Sequence, residues 1–198
     1  MNNLIIIKII GGLGNQMFQY ALGRKLAIKN NATLKFDICG FRNYALRQYD
    51  LKYFNIEGSI ATPDDLSNVC FPSNNYIHLF GKYFKILTTN THKIRYFKEK
   101  NFNFQPEIVN LEDNIYLDGY WQSEKYFSDI NDVIKKEFTV KKQPNSINKS
   151  FIEKIEGSES VSIHIRRGDY ATNTITTEIH GLLDIEYYQN AIKFMIDK

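Results

Sequence analysis

The chain opens with an apolar run from Leu4 to Ile10, broken only by Lys8. It continues at once into Gly11-Gly12-Leu13-Gly14-Asn15-Gln16 and then into a helical pattern from Met17 to about Asn30. A strand, a glycine loop and a helix in that order make a β–α unit. Gly12 and Gly14 let the backbone come close to a ligand and adopt unusual φ. The start of the helix aims N–H groups and the positive end of its dipole at whatever lies above the sheet. The fold class this implies is α/β.

The rest of the chain repeats the theme. Thr33 to Ile38 alternates Leu34, Phe36 and Ile38 with Lys35 and Asp37, the pattern of a half-exposed strand. Phe41 to Lys100 is rich in aromatics and resists parsing, apart from a helix start at Thr62-Pro63-Asp64-Asp65-Leu66. Ile115 to Leu117 reads as a strand ending at Asp118-Gly119, after which Ser123 caps a helical stretch reaching about Phe138. Lys141 to Asn145, with Pro144, reads as a linker. Ser146 to Ile155 reads as a helix stopped by Gly157. The β-branched run Val161 to Ile165 reads as a buried strand of a new β–α unit, whose helix is Asp184 to Lys198.

That second run ends in chemistry. Its sequence is Ser162-Ile163-His164-Ile165-Arg166-Arg167-Gly168-Asp169-Tyr170. Ligands of open α/β sheets bind just beyond the carboxyl ends of strands. The planar fork of arginine suits a phosphate there, through paired charge-assisted hydrogen bonds. The residues read either as a grip on a phosphorylated ligand, such as a diphosphate leaving group, or as a solvated turn in which Asp169 is a local ion partner.

Composition narrows the choice. With 198 residues, 43% hydrophobic and 24% charged, this is an ordinary globular chain, and a net charge of +3 is too mild for a nucleic-acid surface. Cys39 and Cys70 show no metal or redox spacing and read as buried small apolar residues in a reducing compartment. The N-terminal apolar run is short, contains Lys8 and has no basic leader, so it reads as neither a signal peptide nor a membrane span. The expected location is the cytoplasm, with a loose peripheral association at a membrane where glycans are built.

The two motifs, taken in order, resemble glycosyltransferase family 11, the α-1,2-fucosyltransferases that use GDP-fucose. The resemblance covers nearly the whole chain. It includes Gly-Gly-Leu-Gly-Asn-Gln-Met-Phe-Gln-Tyr-Ala at residues 11–21, Gly119-Tyr120-Trp121-Gln122-Ser123-Glu124-Lys125-Tyr126-Phe127, the His-Ile-Arg-Arg-Gly-Asp-Tyr peptide, and His180-Gly181 followed by Asp184-Ile185-Glu186-Tyr187-Tyr188. The resemblance implies a GT-B fold of two facing Rossmann-like domains with substrates between them. Residues 1–150 would be the first, acceptor-side domain. Residues 158–198 would begin a GDP-fucose-binding domain that is incomplete here, because the family's later tryptophan- and serine-rich motif does not appear. The stretch as written is then either part of a longer enzyme or an inactive fragment. Eukaryotic relatives carry a membrane anchor, and its absence suggests the bacterial type.

The implied reaction transfers L-fucose from GDP-fucose to a galactose hydroxyl of a glycan, with inversion and without a metal or cofactor. Arg166 would neutralise the β-phosphate of the departing GDP. Asp169 would orient Arg166 or act as a base toward the acceptor, and Arg167 would be structural. His164 would touch the nucleotide or else be a satisfied core histidine. Asn15 would sit at the reaction centre, as in the similar loop of protein-fucosylating enzymes, or else cap the helix. Gly12 and Gly14 belong with the donor, and Gln16, Trp121 and His180 with the acceptor; a lone tryptophan after a strand is more often a core residue. The acceptor glycan and the choice between α-1,2 and α-1,3 linkage stay open.

Two other classes compete. A glycine loop after a strand, with Asp37 ending the next strand, suits an NAD-dependent or other nucleotide-binding Rossmann protein. Met17 stands where the third glycine of that fingerprint belongs, and the His-Ile-Arg-Arg peptide is then unexplained. A non-catalytic scaffold that keeps the family's first domain is the third reading. Binding of GDP, of NAD(H) or of neither separates the three.

Overall fold

In the computed structural model, which describes residues 3–70, 93–112, 114–165, 167–168, 171, 177–178 and 181–197, the opening apolar run forms strand β1 (Leu4–Lys8). Helix α1 (Leu13–Lys29) carries the chain back to β2 (Thr33–Asp37). Then come β3 (Ser59–Ile60), helix α2 (Pro63–Ser67), β4 (Val69–Cys70), β5 (Ile94–Lys98), β6 (Ile115–Asp118) and helix α3 (Asn131–Glu137). The chain divides into two compact units, Met1–Lys142 and Gln143–Lys198. Helices α4 (Ser146–Glu156) and α5 (Ile185–Ile196) belong to the second.

The first unit is a Rossmann-like parallel sheet in the order β3-β2-β1-β6-β5-β4. Each of the steps β1→β2, β2→β3, β4→β5 and β5→β6 moves one place in the same direction, and only β3→β4 crosses back over the whole sheet. Crossovers between parallel strands are right-handed, so the β1→β2, β2→β3 and β5→β6 connections fall on one face and the β3→β4 return on the other. The cores agree. On one face Ile5, Ile7, Leu34, Phe36, Ile115 and Leu117 pack with Tyr20, Leu22 and Leu26 of α1 and with Leu51 and Ile108 from the connecting loops. On the other, Ile6, Val69, Ile94 and Tyr116 pack with Leu66 of α2. The alternation of Ile5 and Ile7 against Ile6 is the period of two along a strand.

Helix α3 is tied to α1 by Glu137. The Tyr20 hydroxyl donates to Glu137 Oε2 at 2.5 Å and Arg24 Nε donates to Glu137 Oε1 at 2.9 Å. Burial, and then the bond to Glu137, push the Tyr20 phenol far above its ordinary value. This pairing gives the buried carboxylate the partners it needs.

Several expectations change. Helix α1 starts at Leu13 rather than Met17, because Gly12 takes the extended cap position (ψ 168°) and Leu13 to Gln16 already form its first turn. The helix expected from Ser123 to Phe138 is broken. Ser123 Oγ accepts from Lys125 N at 3.4 Å, but two 3-10 turns follow before α3, since Phe127 leaves helical φ (−143°) and packs its ring into the core. Strands β3, β4 and β5 lie in the stretch that resisted parsing. Cys39 is half-buried and Cys70 exposed, so neither is the core residue expected; Cys70 ends the edge strand β4. Among the described residues no helix is long and apolar enough to cross a membrane.

Both helices of the second unit start on a side-chain cap. Asn145 Oδ1 accepts from Asn148 N at 2.9 Å to start α4, and Asp184 Oδ1 accepts from Tyr187 N at 2.8 Å to start α5. Its apolar side chains are open: among the described residues of this unit only Tyr188 is buried. Val161 to Ile165 is not the buried strand expected. It forms no ladder and each of its five side chains is exposed, for among the unit's described residues no strand lies beside it, and an unpaired strand leaves its N–H and C=O groups to water.

Helix α2 is held by a reciprocal cap. Thr62 Oγ1 accepts from Asp65 N at 3.2 Å, and Asp65 Oδ2 accepts from Thr62 N at 2.7 Å. Burial alone would raise the Asp65 carboxyl, but Lys35 and Thr62 hold it below the ordinary aspartate value. A lowered folded pKa means that the stabilisation is complete above the unfolded value and is lost as pH falls through the folded one. Thr62→Ala is expected to cost about 1 kcal/mol in urea titrations at neutral pH. Wild type should lose more stability than Asp65→Asn as pH falls below about 4; parallel losses in the two proteins contradict this account.

Candidate functional site at the carboxyl ends of β1 and β6

Strand β1 ends in a turn that requires glycine. Gly11 has φ +84°, and a Cβ there would stand 2.8 Å from Asn15 Nδ2 and 3.4 Å from Tyr120 Cε1. Gly12 then caps α1 with no side-chain bond. The first amides of the helix, which have no intrahelical partner, are those of Leu13, Gly14 and Asn15. A Cβ at Gly14 would meet nothing within 4 Å.

Two buried glutamines of α1 fix the surrounding loops. Gln19 Oε1 accepts from Ile10 N at 3.0 Å, and its Nε2 donates to Gly119 O at 3.1 Å. One amide therefore joins the loops that follow β1 and β6. Gln16 Nε2 donates to Gly11 O (3.0 Å) and Gln48 O (2.8 Å), while its Oε1 accepts from Asp50 N (2.9 Å). From the end of β5, Glu99 accepts from Tyr120 N (2.7 Å) and Trp121 N (3.0 Å). Trp121 sits at φ +56°, and a Cβ on Gly119 would lie 2.4 Å from that of Glu99. The bend so enforced sets Gln122 opposite Asn15, with Gln122 Nε2 donating to Asn15 Oδ1 at 2.7 Å.

Of the residues singled out from the sequence, Asn15, Gly12 and Gly14 lie together at the start of α1. Asn15 is not the helix cap, a place Gly12 takes. Gln16 is fully buried, with its amide committed to the loop backbone. Trp121 is fully buried and packs edge-on against Tyr126 at 5.9 Å, so its ring faces no solvent; among the described residues its Nε1 has no hydrogen-bond partner. His164 is exposed in the second unit. Arg166, Asp169 and His180 lie outside the described residues. Sequence reasoning missed Gln19, Glu99 and Gln122. The signal for Gln19 was present: two amides three residues apart, on a helical stripe shared with Tyr20 and Gly23.

Asp37 bears on the dinucleotide reading. Its Oδ2 accepts from the Tyr116 hydroxyl at 2.5 Å and its Oδ1 from Cys39 N at 2.9 Å, and the residue is buried. A carboxylate engaged in this way is not presented to a ribose. At the end of β6, Asp118 is paired with Lys8 at 3.0 Å and accepts from the Tyr96 hydroxyl at 2.6 Å. Among the described residues no three His, Cys, Asp or Glu side chains are grouped to hold a metal ion.

A parallel Rossmann-like sheet with polar groups gathered over the carboxyl ends of its central strands is the scaffold of enzymes that handle nucleotide-linked substrates. Comparison with known proteins is specific. The family model for glycosyl transferase family 11 matches residues 95–197, and the chain belongs to that family. It is 30% identical over 202 residues to an alpha-1,2-colitosyltransferase of Escherichia coli, the match covering 99% of this chain and 65% of the relative. It is 31% identical over 210 residues to the O-antigen biosynthesis glycosyltransferase WbnK of Escherichia coli, covering 94% of this chain and 66% of the relative. The chain thus spans just under two thirds of the length of these relatives. No solved structure matches it.

Gln19→Met keeps the volume but leaves Ile10 N–H and Gly119 C=O without a partner. It is expected to cost roughly 2–4 kcal/mol, one to two for each orphaned group, read from the urea midpoint. A midpoint equal to wild type would show that the two loops are held by something else.

Proposed function

We propose that the whole protein is a glycosyltransferase that moves L-fucose from GDP-fucose to a galactose hydroxyl of a glycan, forming an α-1,2 link with inversion. Membership of glycosyltransferase family 11 is the observation that carries this reading. The relative named as an alpha-1,2-colitosyltransferase supports the linkage, and the same name favours a second donor, a colitosyl nucleotide. In this reading the enzyme follows the two-domain GT-B plan, works in the cytoplasm at the face of a membrane, and needs neither metal nor cofactor.

The chemistry assigns the parts. The acceptor oxygen forms a bond to the anomeric carbon as the bond from that carbon to the β-phosphate oxygen breaks. The acceptor proton is released and GDP leaves. Positive charge grows on the sugar ring, as in glycoside hydrolysis, and negative charge on the diphosphate. Arg166 neutralises the leaving group with its paired donors. His164 lies beside the nucleotide, and Asp169 orients Arg166 or takes the acceptor proton. Asn15 stands at the reacting centre. Its freedom from the capping role and its place over the end of β1 support that assignment.

In the full protein Arg166→Lys is expected to lower kcat about 10²–10³-fold, the cost of losing a preorganised donor, because a point charge does not reproduce the fork. Wild-type turnover in that variant removes the leaving-group role. EDTA should leave the rate unchanged, and loss of activity restored by a divalent cation contradicts the metal-free mechanism. Asn15→Ala should lower kcat with little change in Tm; a fall in Tm alone makes Asn15 a structural residue. Parallel assays with GDP-fucose and GDP-colitose decide the donor.

A further inference from the structure

Beside Asn15 lies a group of side chains with no assigned role. Gln122 is exposed and gives its Nε2 to Asn15 Oδ1 at 2.7 Å. Among the described residues no protein group bonds the other half of each amide, Asn15 Nδ2 and Gln122 Oε1. The pair therefore keeps one donor and one acceptor that no described protein group uses. Tyr120 adjoins it: its Cε1 and Asn15 Nδ2 converge on the space beside Gly11, where a Cβ would lie 3.4 Å and 2.8 Å from them. Phe102 packs on Tyr120 with ring centroids 6.4 Å apart at 32°, yet is 72% exposed. An exposed aromatic of that size, held by its neighbour rather than loose, extends an apolar surface next to a polar edge.

We infer that Asn15, Gln122, Tyr120 and Phe102 form a subsite for a neutral saccharide, the acceptor, in the first unit. This rests on the transferase reading above and adds to it the residues that meet the acceptor. The chemistry fits a sugar on two counts. Each hydroxyl is both donor and acceptor, so sugar hydroxyls can bond either Nδ2 or Oε1, while the C–H face of the ring covers an aromatic platform. None of the four side chains carries a charge. An ionised diphosphate gains more from charged donors than from amides, so these four side chains suit a neutral ring better than a phosphate; the Arg47 guanidinium, with Nε 3.7 Å from where a Cβ on Gly12 would stand, is a charged donor outside the group. The platform is also built in. Glu99 fixes the backbone on either side of Tyr120, and Gln19 fixes the strand end from which Asn15 departs. These are positioning residues; Gln122 and Phe102 are the ones that touch the sugar.

The test is ligand binding by saturation-transfer NMR with the full protein, using lactose and GDP-fucose as separate probes. Variants are Gln122→Ala, Phe102→Ala and Phe102→Trp. Lactose affinity is expected to fall about tenfold in each alanine variant and to return in Phe102→Trp. GDP-fucose affinity should stay within about twofold throughout. In turnover assays the same variants should raise KM for lactose and leave KM for GDP-fucose unchanged. Lactose binding that is undiminished in both alanine variants overturns the subsite and leaves the transferase intact. So does loss of GDP-fucose binding with lactose binding retained, which places the residues on the donor. If wild type binds GDP-fucose but neither lactose nor methyl β-galactoside, the subsite and the galactose acceptor both fall. If it binds lactose through these residues but not GDP-fucose, the subsite stands and the donor assignment falls.

Discussion

Where a parallel sheet ends, the ladder runs out and the last backbone groups of neighbouring strands must find other partners or stay orphaned. At the junction of β1 and β6 one side chain solves this for both strands. Gln19 accepts from Ile10 N–H and donates to Gly119 C=O, so the loops that leave adjacent strands cannot move apart without breaking a buried bond. Gln16, one turn earlier, does the same for the Gly11 carbonyl and the 48–50 loop. The distance between Asn15 and Gln122 follows from these bonds. So does the requirement for glycine at 11, where the helix start, Tyr120 and Asn15 leave no space for a Cβ.

The opposite face of the same sheet shows how a parallel sheet tolerates charge. Lys8, Lys35, Asp37 and Asp118 project from strand positions that alternate with the apolar ones. Each has a partner: Lys8 with Asp118, Lys35 with Asp65, Asp37 with the Tyr116 hydroxyl. Partly buried pairs of this kind do little more than offset their own desolvation. They do settle which carboxylates are held within the fold, and Asp37 and Asp118 are among those held. At the glycine loop the polar groups are the amides of Asn15 and Gln122, with the Arg47 guanidinium beside Gly12.

Local signals in the sequence were readable wherever structure depends on local chemistry. The β1–α1 unit, the helix start at Thr62, the helices near Ser146 and Asp184 and the strand at Ile115 each depend on a few adjacent residues. Readings failed where tertiary context decides. Helix α1 begins four residues early because Gly12 serves as its cap. Phe127 interrupts a good helical stretch to reach the core. Strand β5, Ile94–Lys98, was hidden among aromatics, although Ile94 and Tyr96 do share a face. At the site, Asn15 was identifiable from its place in the glycine loop. A lone tryptophan after a strand is more often core than sugar platform, and Trp121 is fully buried. Gln122 had no signal of its own. Its position comes from a bend made by Glu99, 23 residues away in the chain and adjacent only because β5 and β6 pair.

The two motifs that carry the family likeness rest on unlike foundations. The glycine loop stands on a sheet whose central strand is buried on both faces, with Ile5, Ile6 and Ile7 fully enclosed. The Gly11 carbonyl and the Ile10 N–H at its base are held by the buried side chains of Gln16 and Gln19. The His164 peptide follows a run whose apolar residues, Val161, Ile163 and Ile165, are 48–62% exposed and unpaired. A binding geometry good to about half an ångström needs a locked supporting shell, and the first unit supplies one from its own residues. Recognition that relies on neutral hydrogen bonds and ring contacts is the kind that demands such a shell, because each contact is weak and directional.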